Sequence, residues 1–134
     1  MFNIIDVTMG GHELRVIKDG KDLVQPYIAG NMYQFLDAVL SGLERKYSDS
    51  DSYVHFPNFR KHIAQMEIGK FEMPVDVAEK ILKEISQLEK LSTEGVLTTK
   101  KDKQLFSDVL EGLKQIMTAS VKEKIPVNVN NSPW

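Results

Sequence analysis

Three histidines, His12, His55 and His62, are the side chains of this chain that can change charge near neutral pH. None stands in a metal-ligand register, because no H-x-x-x-H, H-E-x-x-H or His-x-x-Glu helix pair occurs. His55 and His62 approach each other only across the turn into a short expected helix. An acid–base pair of the ribonuclease type built from them would need a face that attracts phosphate. Ordinary packing or surface roles account for them with fewer assumptions. Serine chemistry needs an exposed elbow such as G-x-S-x-G, and Ser41 before Gly42 and Ser92 sit in or just after helices without one. Gly10-Gly11 lacks the lysine and Ser/Thr of a phosphate loop, and no G-x-G-x-x-G appears. Asp49 and Asp51, within YSDSDSY, resemble the opening of a calcium loop. Counting from Asp49, however, position six is Val54 and position twelve is Arg60, where a glycine and a bidentate glutamate belong. No catalytic residue, no metal site and no cofactor site is expected, and the chain is read as a non-enzyme.

The elements that must position any other site are clearer. The stretch from Met66 to Leu91 is the most strongly patterned, and its second half reads as the helical spine of the core. Val77, Ala78, Ile81, Leu82, Ile85, Leu88 and Leu91 recur at three- and four-residue steps on one face. Pro74 suits the first helical turn, and Asp76 and Glu79 favour its positive end. Opposite charges four apart, Glu79 to Lys83 and Lys80 to Glu84, read as the solvated face. Asn31 can cap an earlier helix running to about Lys46, with Met32, Phe35, Leu36, Val39, Leu40 and Leu43 on one face. Gly42 within it either weakens the last turn or allows close packing. Pro57 to Met66 reads as a short helix, and Lys70 to Met73 as extended. Thr99 caps the last helix, whose stripe is Leu105, Phe106, Val109, Leu110, Leu113, Ile116 and Met117.

Short β-capable runs lie at the ends. Phe2 to Met9 and His12 to Lys18, joined by Gly10-Gly11, read as a hairpin. Asp19-Gly20 is a further turn signal, with a third short strand around Asp22 to Tyr27. Val96-Leu97-Thr98 is another β-capable piece. The tail IPVNVNNSPW offers either an edge strand at Val127 to Val129 or a flexible end. The expected fold is therefore α+β: an N-terminal antiparallel hairpin or small sheet against about four helices, the last two longest. A length of 134 residues fits one domain, 1–134, large enough to bury a core.

Charge and composition exclude more than they select. Seventeen basic residues against nineteen acidic give a net of −2, so no basic face for direct nucleic-acid binding is indicated. No cysteine is present, which excludes disulfides and thiolate chemistry and fits a reducing compartment. The opening MFNIIDVTMGG has neither the basic nor the continuous apolar region of a signal peptide. No window approaches the roughly 18 apolar residues of a membrane span. The expected compartment is the cytoplasm, with no membrane partner.

One ordered set of features resembles a known family. Phe35 and Leu36, Val39-Leu40 and Leu43-Glu44 precede a loop and the aromatic–proline step Phe56-Pro57. Gly69-Lys70 follows, then the helix VAEKILKEISQLEKL and the segment LTTKKDKQLFSDVLEGL. This order is similar to that of small bacterial immunity proteins encoded beside polymorphic or contact-dependent toxins, and it covers Phe35 to Leu113. The chain departs from that pattern at Lys101 and Lys103 and lacks a tryptophan-glycine segment before the last strand. The resemblance implies binding and neutralisation of a cognate toxin domain by occlusion, and many toxins paired with that family are nucleases. The expected partner surface is Tyr47, Asp49, Asp51 and Tyr53, with Glu67 and Glu72 around Gly69: acids to attract a basic groove and tyrosines to anchor in it. The alternative is a phage or accessory regulatory protein acting by protein–protein contact or homo-oligomerisation. A small hydrolase using His55 or His62 is the third reading.

Overall fold

The computed structural model describes residues 11–30, 32–48, 55–64 and 68–132. Alternation of apolar and polar residues builds a sheet with one buried face. Strands β1 (Gly11–Arg15), β4 (Tyr27–Gly30), β5 (Gly69–Met73) and β6 (Val127–Ser132) form it, in the order β4-β1-β6-β5, all antiparallel. Tyr27, Leu14, Val129 and Phe71 lie in one row across the four strands, and Val127 and Met73 in the next row on the same face. All of these but Phe71 are buried. The opposite face carries the rows Ile28, Glu13, Asn130, Lys70 and Arg15, Asn128, Glu72. Period-two alternation separates the two sets.

Helices cover the apolar face. They are α1 (Tyr33–Lys46), α2 (Pro57–Phe59) continuing into a π-helical turn (Arg60–Ala64), α3 (Val75–Lys90) and α4 (Lys100–Glu123). The longest, α4, packs along α3 and against β4 and β6. Of its expected stripe, Phe106, Val109, Leu110, Leu113, Ile116 and Met117 are buried as the spacing predicts, and Leu105 is half-buried. Thr99 caps it: the Thr99 hydroxyl accepts from the Asp102 N–H at 3.1 Å. At its other end Lys124 adopts left-handed backbone, φ 59°, while the Ser120 hydroxyl donates to the Ile125 carbonyl at 2.6 Å. That turn sends the chain into β6.

The α+β class, the antiparallel sheet and the two longest helices are as the sequence indicates. Several details differ. The tail strand is an interior strand, with β1 on one side and β5 on the other, and not an edge or flexible end. The run His12 to Lys18 divides into β1 and β2 (Ile17–Lys18). The third strand expected around Asp22 to Tyr27 divides into β3 (Lys21–Asp22), which pairs with β2 in a separate two-stranded ribbon, and β4. Asp19 and Gly20 both have positive φ, 53° and 78°, which matches the right-handed twist of a two-residue hairpin. Phe2 to Met9 lies outside the described residues, and the neighbours of β1 are β4 and β6. Gly11 is a strand residue and not a turn: a Cβ there would stand 2.7 Å from the Ala29 carbonyl oxygen. Asn31 also lies outside the described residues, and Met32 stands at the N-cap of α1 with no side-chain cap. Val96-Leu97-Thr98 forms no strand, because the Thr93 carbonyl accepts from both Val96 and Leu97 N–H at 2.9 Å and turns the segment.

Candidate protein-binding surface

Two surfaces of this scaffold adjoin the residues expected to contact a partner. The first surrounds the C-terminal end of α1. Lys46, in its last turn, donates to the Ser92 and Glu94 carbonyls at 3.1 and 2.7 Å, which pins α1 to the connection between α3 and α4. Tyr47 is half-buried and packs against the core, and its hydroxyl accepts from the Ser92 N–H at 3.0 Å. Tyr47 is thus held inside the fold along one edge. Where the chain resumes, exposed His55 places Nδ1 3.5 Å from Glu44 of α1, and Phe56 is buried. Arg60 binds both Asp37 and Glu44, one helical face of α1 seven residues apart. One described end of the loop is therefore anchored on the α3–α4 connection and the other on α1. Asp49, Asp51, Tyr53 and Glu67 lie outside the described residues.

The second surface is the open face of the sheet and its β5 edge. Arg15 is bound by Glu13 and Asp22, each at 2.7 Å, and those carboxylates raise its pKa. Asn128 and Asn130 separate these groups from Glu72 and Lys70 on β5. An open depression of about 460 Å³ runs over Glu13, Arg15, Lys70, Glu72, Asn128 and Asn130. Glu72, one of the expected contact residues, is exposed here. Sequence reasoning missed its neighbours: Phe71 is 39% exposed and Ile68 68% exposed. The alternation K-F-E-M was a usable signal, since it places Phe71 on the core side of an edge strand where cover is incomplete.

The histidines do not converge. His55 turns to Glu44, whereas His62 lies in the π-helical turn within the field of Glu84 on α3. Burial, then the neighbouring Lys61 charge, lowers the His62 pKa despite Glu84. His12, facing the core, has its pKa lowered by burial, partly offset by its 2.6 Å hydrogen bond to Asn131 Oδ1. Burial raises the Tyr27 phenol. Among the described residues, no group of three or more His, Cys, Asp or Glu side chains is placed to hold a metal ion. Also among the described residues, no helix is long and apolar enough to cross a membrane.

The geometry defines a small α+β domain that, among the described residues, presents an edge strand and an open polar sheet face. No protein-family model, curated protein or solved structure matches the chain.

Proposed function

We propose that this chain is an immunity protein that binds a cognate bacterial toxin domain, a nuclease, and neutralises it by covering its working surface. The ordered features from Phe35 to Leu113 suggest the family, and the anchored loop is the observation that carries the mechanism. Its base is held on both sides, by Lys46 and Tyr47 on the connection after α3 and by His55 and Arg60 on α1. A contact loop with fixed ends loses less conformational freedom on binding than a free one, so more of its contact energy appears as affinity. Asp49 and Asp51 supply attraction to a basic groove, Tyr53 the aromatic anchor, and Tyr47 and Glu67 the flanks. The action is occlusion in the cytoplasm, without a catalytic residue or cofactor.

The test is isolation of the partner from the native cell at low and moderate salt, then titration of the purified pair. A stoichiometric partner with a basic domain should bind, and Asp49→Lys with Asp51→Lys should lower its affinity by about tenfold or more at low salt. Unchanged affinity would remove the loop from the interface. A second reading, an accessory regulatory protein working by self-association, is favoured by the exposed β5 edge.

A further inference from the structure

The β5 edge has a pattern that fits a particular occupant. Among the described residues β5 has a strand neighbour, β6, on one side only, so its other side presents backbone N–H and C=O groups without a strand partner. Lys70 and Glu72 project from the open face with Phe71 between them on the other face. Both charges are exposed and lie opposite Asn130 and Asn128, neutral amides, and neither forms an ion pair among the described residues. A single lysine on an edge strand protects it from pairing, because two copies would repel. Opposite charges two residues apart about a central aromatic do the reverse.

We propose that two copies of this chain pair through β5, antiparallel about Phe71, and so continue the sheet across a two-fold axis. In that register Phe71 meets the same residue of the other copy, and each Lys70 faces a Glu72, twice by symmetry. Gly69 faces Met73, and Ile68 reaches Pro74 at the start of α3 in the other copy. Main-chain hydrogen bonds complete the edge, and the two partly exposed phenylalanines cover each other. Such a short junction is small beside tight obligate interfaces, so the dimer is a micromolar one. Self-pairing uses β5 and calls on neither Asp49, Asp51 nor Tyr53, so it stands or falls separately from toxin binding. Glu72 is thereby assigned to self-association.

The charges provide the test, by sedimentation equilibrium across a range from about 1 μM to about 1 mM protein. Wild type should move from the 15.2 kDa protomer mass toward twice that value. Lys70→Glu and Glu72→Lys should each weaken dimerisation about tenfold or more, because symmetry turns one substitution into two like-charge contacts. The two single variants mixed together should pair again, since one chain then carries acids at both positions and the other carries lysines at both. The double exchange K70E/E72K should restore the homodimer. Restoration by mixing also shows that both variants are folded. A wild-type mass that stays at one protomer, single variants as dimeric as wild type, or a mixture no more associated than its components would each overturn the proposal. Toxin affinity, measured on the monomeric variants, reports separately on the loop.

Discussion

A carboxylate inside a protein has to be met by donors, and Glu84, 7% exposed on α3, is met by three. Its Oε1 accepts from the Phe59 N–H at 2.8 Å, and its Oε2 from the Asn58 N–H at 3.2 Å and the Asn58 amide at 2.7 Å. The side chain thus caps α2 from a neighbouring helix and holds the Pro57–Ala64 segment against the core, with Phe59 and Ile63 buried beneath it. Glu84→Ala leaves buried donors unanswered and should cost about 2–4 kcal/mol, with Glu84→Gln costing less because one oxygen remains. Urea midpoints measure both; an alanine variant as stable as wild type would show that water replaces the carboxylate. By its spacing to Lys80, Glu84 reads as half of a solvated pair. Yet it stands three residues after Ile81 and four before Leu88, on the buried stripe itself. The position was legible in the helical period; the donors were not, because they come from residues 25 and 26 positions away. Of the pairs expected on the outer face, Glu79 and Lys83 stand 3.7 Å apart.

Between elements, one glycine sets how closely α1 approaches the α3–α4 connection. A Cβ at Gly42 would lie 2.8 Å from Val96 Cγ1, a branched side chain with little freedom to move aside. In an open helix Gly→Ala stabilises by about 1 kcal/mol. Here the sign reverses: Gly42→Ala should destabilise by about 1–2 kcal/mol through overpacking. Val96→Ala removes the obstacle, so a double-mutant cycle should show a favourable coupling of about 1 kcal/mol or more between the two substitutions. Strict additivity would mean that α1 shifts to make room. The sequence poses the choice at Gly42 between a weak turn and close packing. It cannot name Val96, which belongs to a run that reads as β-capable and is in fact folded back by the Thr93 carbonyl. The same holds for the candidate site. The loop after Tyr47 is marked by broken periodicity, but its anchors are long-range contacts that no local pattern encodes. Thr99 lies at the other extreme: its cap on Asp102 is local, three residues long, and readable directly.

For the molecule as a whole, the last strand decides the architecture. VNVN alternation announces one buried face, and Val127 and Val129 are indeed buried while Asn128 and Asn130 are exposed. Alternation says nothing about place in the sheet, because edge and interior strands with one wet face share it. Here β6 lies between β1 and β5, pairing with β1 from Gly11–Ser132 to Arg15–Asn128 and with β5 from Gly69–Asn131 to Met73–Val127. The β1 and β6 residues meet across nearly the full length of the chain, a contact that closes late and slowly in folding. If β6 were an edge, ending the chain after Pro126 would remove one set of pairings and leave a marginal three-stranded sheet. As an interior strand, its removal separates β5 from β1 and takes away the partners of Leu14 and Met73, Val129 and Val127, along with the contact between α4 and the sheet at β6. A chain ended after Pro126 should therefore keep much of its helical circular dichroism and show no cooperative thermal transition. A sharp transition lowered by only a few degrees would mean that β1 and β5 can close on each other without β6. Addition of the peptide Val127–Ser132 in trans would then have nothing to restore.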